Sequence, residues 1–180
     1  MLACAPSVAQ DDAAQNDITQ NDTAQNEATQ TNTTPDCDSS NLGMAQMQRA
    51  TIALVNARGE TVDVVALIAD DELERASGYQ HICPEVIART AILFRFDAPR
   101  ATQFHMRNVK APLDIGFFDR AGVLIQSMLM QPYTDNRGDG EETLYAPMQP
   151  FQYALEARDG FFAEHNLLAG ATTLRLRTLP

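Results

Sequence analysis

From residue 50 onward the apolar side chains fall into short runs, each closed by glycine, proline or a polar break, and this pattern leaves little room for long helices. Thr51–Val55 and Thr61–Ile68 flank Asn56-Ala57-Arg58-Gly59-Glu60, which reads as a hairpin. Further strands are expected at Ala91–Phe96, Gln103–Arg107, Leu113–Phe118, Val123–Met130, Thr143–Tyr145, Phe151–Ala157 and Thr172–Arg177, with Asp119-Arg120-Ala121-Gly122 as a turn. Helical signals are brief. Asp70–Ser77 starts with acidic residues and stops at Gly78, Pro84–Ala88 adds a turn, and Phe161–Asn166 adds another. Asp135–Gly140 is a loop. The expected class is mainly β with short helices (α+β), a compact single-domain β-barrel-like or sandwich fold.

The first 45 residues cannot join that core. Their Gln/Asn/Asp/Thr-rich repeats contain almost no large apolar side chains, too little to offset the entropy of ordering. The expectation is a disordered tether over 1–45 and one globular domain over 46–180. Residues 1–45 hold seven acidic and no basic side chains, so most of the net charge of −11 lies in the tether. The remaining 17 acidic and 13 basic residues offer no basic surface excess, which argues against nucleic acid as a partner.

Met1-Leu2-Ala3-Cys4 is similar to the end of a bacterial lipobox, in which small residues precede a cysteine that is lipidated after cleavage. The polar spacer that follows is what a lipoprotein needs to stand off from a membrane. The expectation is that the recorded start lies inside a signal peptide and that Cys4 is the lipidation site, on an exported, periplasmic or outer-membrane-anchored lipoprotein. An ordinary N-terminus is the alternative. With Cys4 acylated, Cys37 and Cys83 remain as an even pair that can form a disulfide in an oxidising space. No stretch of 18 or more apolar residues occurs, so contact with a membrane is expected only through the lipid.

Several motifs carry a resemblance: Leu93-Phe94-Arg95-Phe96, Phe104-His105-Met106-Arg107-Asn108, Pro112-Leu113-Asp114-Ile115 with Phe117-Phe118-Asp119, Tyr153-Ala154-Leu155-Glu156 with Gly160-Phe161, and the Gly170 turn. In this order, over about residues 50–178, the chain resembles the bacterial and archaeal domain-of-unknown-function family 192. The resemblance implies a fold and no established activity. It also has two departures. Gly78-Tyr79-Gln80-His81-Ile82 stands where the family usually has Gly-Leu-Met-x-Arg, and His105-Met106-Arg107-Asn108-Val109 where it has Trp-Met-Lys-Asn-Thr.

The richest polar cluster is Phe104–Asp119. Alternation sends Phe104 and Met106 to one face and His105 and Arg107 to the other, and sets Asp114 opposite Leu113, Ile115 and Phe117. Antiparallel pairing would bring Asp114 close to His105, Arg107 or Asn108, and Glu156 can line the same site. Three readings stay open for this cluster. Asp114 is a structural carboxylate; or His105, Arg107, Asn108, Asp114 and Glu156 bind a small ligand; or Asp114, His105 and Glu156 support a small hydrolase-like activity. No Gly-x-Ser-x-Gly elbow or other nucleophile signature accompanies them, so no catalytic residue is assigned. A copper reading rests on His81, His105, Met106, Met128 and Met130. Met128 and Met130 fit core filling better, and no metal ligand or cofactor is assigned. The expected role is a small-ligand or protein-binding envelope accessory module, with an unknown small molecule or envelope protein as partner.

Overall fold

Two strands joined by a tight loop begin the packed part of the chain. In this computed structural model, which describes residues 36–133 and 142–177, β1 (Gln48–Val55) pairs antiparallel with β2 (Thr61–Ala69). The connecting loop is organised by Asn56, whose buried Oδ1 accepts the Arg58 and Glu60 N–H groups at 2.9 and 3.1 Å. After β2 comes α1 (Glu72–Ser77), opened by a reciprocal cap. Asp71 accepts the Glu74 N–H, while the buried Glu74 carboxylate accepts from Asp70 and Asp71. A second turn, α2 (Pro84–Ile87), starts on proline, whose missing N–H costs nothing there.

The remaining strands are β3 (Ala91–Arg100), β4 (Phe104–His105), β5 (Leu113–Phe118), β6 (Leu124–Met130), β7 (Leu144–Tyr145), β8 (Phe151–Arg158) and β9 (Thr173–Leu176), with α3 (Phe161–Glu164) after β8. Seven of them form one mixed sheet in the order β6-β5-β8-β3-β2-β1-β9, and β4 pairs with β7 apart from it. The fold is mainly β and sandwich-like, and the barrel alternative is corrected: the large sheet does not close. Its edges meet at a single bridge between Val123 and Thr173, with the Leu174 N–H donating to Gly122 O at 2.7 Å. Gly122 is required at this meeting point, because its φ is +81° and a Cβ would lie 2.4 Å from Leu174 O.

The sheet separates two cores. On one face Phe94, Phe96, Phe117 and Phe151 pack with Tyr79, Ile82 and Ile87 from the α1–α2 region, and Met106, Met128 and Met130 serve as filling there. On the other face Leu93, Phe118 and Leu155 pack under Phe161 and Phe162. Gly116 leaves room for the Phe162 ring against β5, since a Cβ there would come within 2.4 Å of that ring.

The packed unit reaches back to residue 36, ahead of the expected start at 46. Cys37 and Cys83 are joined in a disulfide with Cα atoms 4.8 Å apart. Backbone bonds run from Asp38 N–H to His81 O and from Cys83 N–H to Asp38 O, and Met44 and Met47 are buried. The remainder of the expected tether, Cys4 within it, and the 135–140 loop lie outside the described residues. No helix among the described residues is long and apolar enough to cross a membrane.

Candidate functional site

The expected pairing of β4 with β5 is not what forms, and the reason is non-local. β5 is already sandwiched between β6 and β8, so β4, shortened to two residues, takes β7 as its partner. The chain then turns at Asn108, which has φ +59°. As a result the five candidate residues do not form one cluster.

Asp114 faces α3. Its carboxylate accepts the Phe162 N–H at 3.2 Å, with the Gly160 and Phe161 amides also contributing. Desolvation nonetheless raises its pKa, opposed by those amides. It therefore holds the start of α3 on the face away from His105, and the anticipated contact of Asp114 with His105, Arg107 or Asn108 does not form. The hydrolase-like arrangement loses its geometry with it.

Arg107 and His105 are exposed near Glu142. The Arg107 guanidinium lies 2.7 Å from that carboxylate, and the His105 Nδ1 is 3.6 Å from it while accepting the Arg107 N–H at 3.3 Å. Asn108 is bound to the 78–82 loop: its carbonyl accepts the His81 N–H at 2.8 Å, and its Nδ2 lies 3.5 Å from Gln80 Oε1. His81 has φ +63°, so two non-glycine residues in the left-handed region sit back to back here.

Glu156 lies apart from Asp114. In register with Ile92 of β3 and Ile115 of β5, it points to the Phe94 face of the sheet, opposite to Asp114, so the two carboxylates do not form a pair. It is 5 % exposed, and among the described residues no cation lies within ion-pair range of it. Burial pushes its pKa up to about 8, so the acid is mainly neutral at pH 7. The adjacent Tyr79 is also buried, its hydroxyl donating to Thr90 O at 2.5 Å, and desolvation together with the Glu156 charge drives its pKa well up.

Glu156 opens on a concavity of about 510 Å³ between α1, β3 and β4. Phe94, Phe96 and Phe104 form apolar walls, and Arg75, Arg100 and His105 stand among the lining residues. The Arg75 and Arg100 guanidinium carbons lie 5.2 and 4.8 Å from the Phe96 ring centre. Both stretches at which the chain departs from the family pattern reach this space, through Gly78, Tyr79 and Gln80 on one side and His105 and Val109 on the other. The 36–44 segment braces the first of them: Asn41 Nδ2 donates to Gly78 O and Gln80 O, each at 3.0 Å. Of the expected site residues, His105 and Glu156 line the concavity. Arg75, Phe96 and Arg100 were not anticipated, since nothing local in the sequence marks them, and Tyr79 was marked only as part of a departure from the family pattern. The one available signal was a glutamate inside an apolar strand.

A family model described as DUF192, uncharacterized ACR, matches residues 53–174. Among solved structures, the chain is similar to a "putative transcription regulator" from Sinorhizobium meliloti 1021, with 22 % identity, a TM-score of 0.62, and 72 % of this chain and 95 % of that one covered. It is also similar to a protein of unknown function from Novosphingobium aromaticivorans DSM 12444, with 18 % identity, a TM-score of 0.60, and 77 % and 99 % covered. At these identities the likeness concerns the fold alone. Comparison with curated proteins gives no match.

Proposed function

We propose that this chain, which belongs to domain-of-unknown-function family 192, is a small-ligand-binding module whose site is the concavity floored by Glu156. The observation that carries this reading is Glu156 itself, a buried carboxyl that has no counter-charge among the described residues and opens on a space large enough for a small molecule. Such a group costs stability in the empty protein, and sites that bind ligands are where such costs are kept. The disulfide and Asn41 hold the 78–83 loop in place, which favours a pre-formed pocket over one assembled on binding.

The test is a thermal-shift screen of small polar metabolites on the full chain, wild type beside Thr102→Trp, which fills the space from its wall. Ligands that bind the folded state raise its melting temperature by mass action. The reading expects compounds that shift the wild type and not the variant. Shifts that are equal in both, or none across the screen, would end it.

The proposal extends to compartment. A module exported to the periplasm or outer membrane and anchored through lipidated Cys4 accords with a Cys37–Cys83 disulfide, since such bonds persist in oxidising spaces. Fatty-acid labelling that appears in the wild type and disappears in Cys4→Ser is the expected result; an unlabelled wild-type chain would remove the anchor from the account.

A further inference from the structure

Two guanidinium groups converge on one ring at the concavity. Arg95 is tied to Asp70, Arg107 to Glu142 and Lys110 to Asp36, whereas Arg75 and Arg100 both lie over Phe96 and neither has a carboxylate in ion-pair range among the described residues. Arg75 spends one N–H on the Arg95 carbonyl at 3.2 Å, which steadies it and leaves the rest of its fork unused. Two cations that line one concavity favour an anion there. Planar guanidinium forks suit a carboxylate in particular.

The floor selects differently. A neutral carboxylic acid presents one O–H donor and a carbonyl acceptor, the complement of a hydroxyl, which also donates and accepts. An ammonium group would instead require Glu156 ionised and would have to pass two arginines. The titratable and charged groups that face the space from the surrounding elements are Glu72, Arg75, Tyr79, Arg100 and His105. Glu72 opposes an anion, and the two arginines outweigh it.

We propose that the ligand is a small hydroxylated organic acid, its carboxylate held by Arg75 and Arg100 and one hydroxyl received by Glu156. This rests on the binding reading above and sharpens it to a chemical class. Binding is then linked to a proton: the complex needs Glu156 neutral and the ligand's carboxyl ionised, so affinity is level from roughly pH 5 and falls as the pH rises past about 8.

Titration calorimetry on the full chain tests this with two size-matched pairs, D-glucuronate beside D-glucose and D-glycerate beside glycerol. At least one acid is expected to bind at pH 7 more tightly than its neutral counterpart by about tenfold or more, and Arg75→Gln or Arg100→Gln to remove that preference. Glu156→Gln should abolish the fall above about 8, because an amide donates and accepts without titrating. Neutral partners that bind as tightly as the acids would overturn the assignment. So would an affinity that rises with pH above roughly 5, or a fall that is removed by His105→Gln and not by Glu156→Gln. If all four probes fail while the broader screen finds another ligand, this class is wrong and the pocket stands; if both fail, the pocket falls with it.

Discussion

Asp114 and Glu156 sit on adjacent strands, yet the two faces of the sheet treat them in opposite ways. Asp114 is half-buried and satisfied: backbone amides at the start of α3 point at it, and Phe161 and Phe162 seal the space around it. Glu156 is more deeply buried and, among the described residues, receives no amide and no cation, while it lines a concavity that Arg75 and Arg100 also line. The contrast teaches that burial alone does not distinguish a structural carboxylate from one held for a ligand. What distinguishes them is whether the protein supplies the partner.

The comparison can be broken most forcefully at what holds each face. On the open side, replacing both Cys37 and Cys83 with serine frees a segment separated by 46 residues, and a loss of about 3–4 kcal/mol is expected from loop entropy. Denaturant unfolding measures it, and a loss under about 1 kcal/mol would mean that Asn41 and the buried Met44 suffice. On the sealed side, Gly116→Ala is expected to cost about 1–3 kcal/mol, because its Cβ meets the Phe162 ring. In a Phe162→Ala background the same change should cost much less, and strict additivity would contradict the packing described.

The carboxylates themselves sharpen the contrast. In the unfolded chain Glu156 ionises near 4.5 and in the folded one near 8, so between these values the folded state carries the extra proton. Its contribution to stability is fully present below about pH 4.5, is lost as the pH rises towards 8, and is level above. Glu156→Gln should therefore be more stable than the wild type at pH 7, by up to about 3 kcal/mol, with the difference vanishing near pH 4. Asp114→Ala should lose about 1–2 kcal/mol by stranding the α3 amides. Asp114→Asn keeps an acceptor and should lose less than half of that. An Asp114→Asn loss as large as the alanine one would show that the charge, and not the acceptor, is what α3 needs.

Local chemistry made much of this fold legible. The Leu113–Phe118 strand follows from its alternation, which also set Asp114 opposite Leu113, Ile115 and Phe117, and the acidic start and Gly78 stop delimit α1. The β4 region was harder, since Gln103–Arg107 has strand-like alternation but its polar continuation turns at Asn108 after two paired residues. Which strands pair is decided by tertiary competition for β5 and not by any residue within it. For the same reason the sequence grouped Asp114 with Glu156, which alternation on separate strands cannot test. Arg75, Phe96 and Arg100 come together only because α1 packs on β3; each one alone looks like an ordinary surface or core residue.

The central claim is that Glu156 is a buried acid for which the described residues provide no counter-charge. A carboxyl-carbon NMR titration of Glu156 in the ligand-free full chain tests it directly, with Glu156→Gln to identify the resonance. The account predicts a midpoint near 8. A midpoint in the ordinary carboxylate range, near 4.5, would show that water or a cation already satisfies the group, and the floor of the proposed site would be an ordinary surface acid.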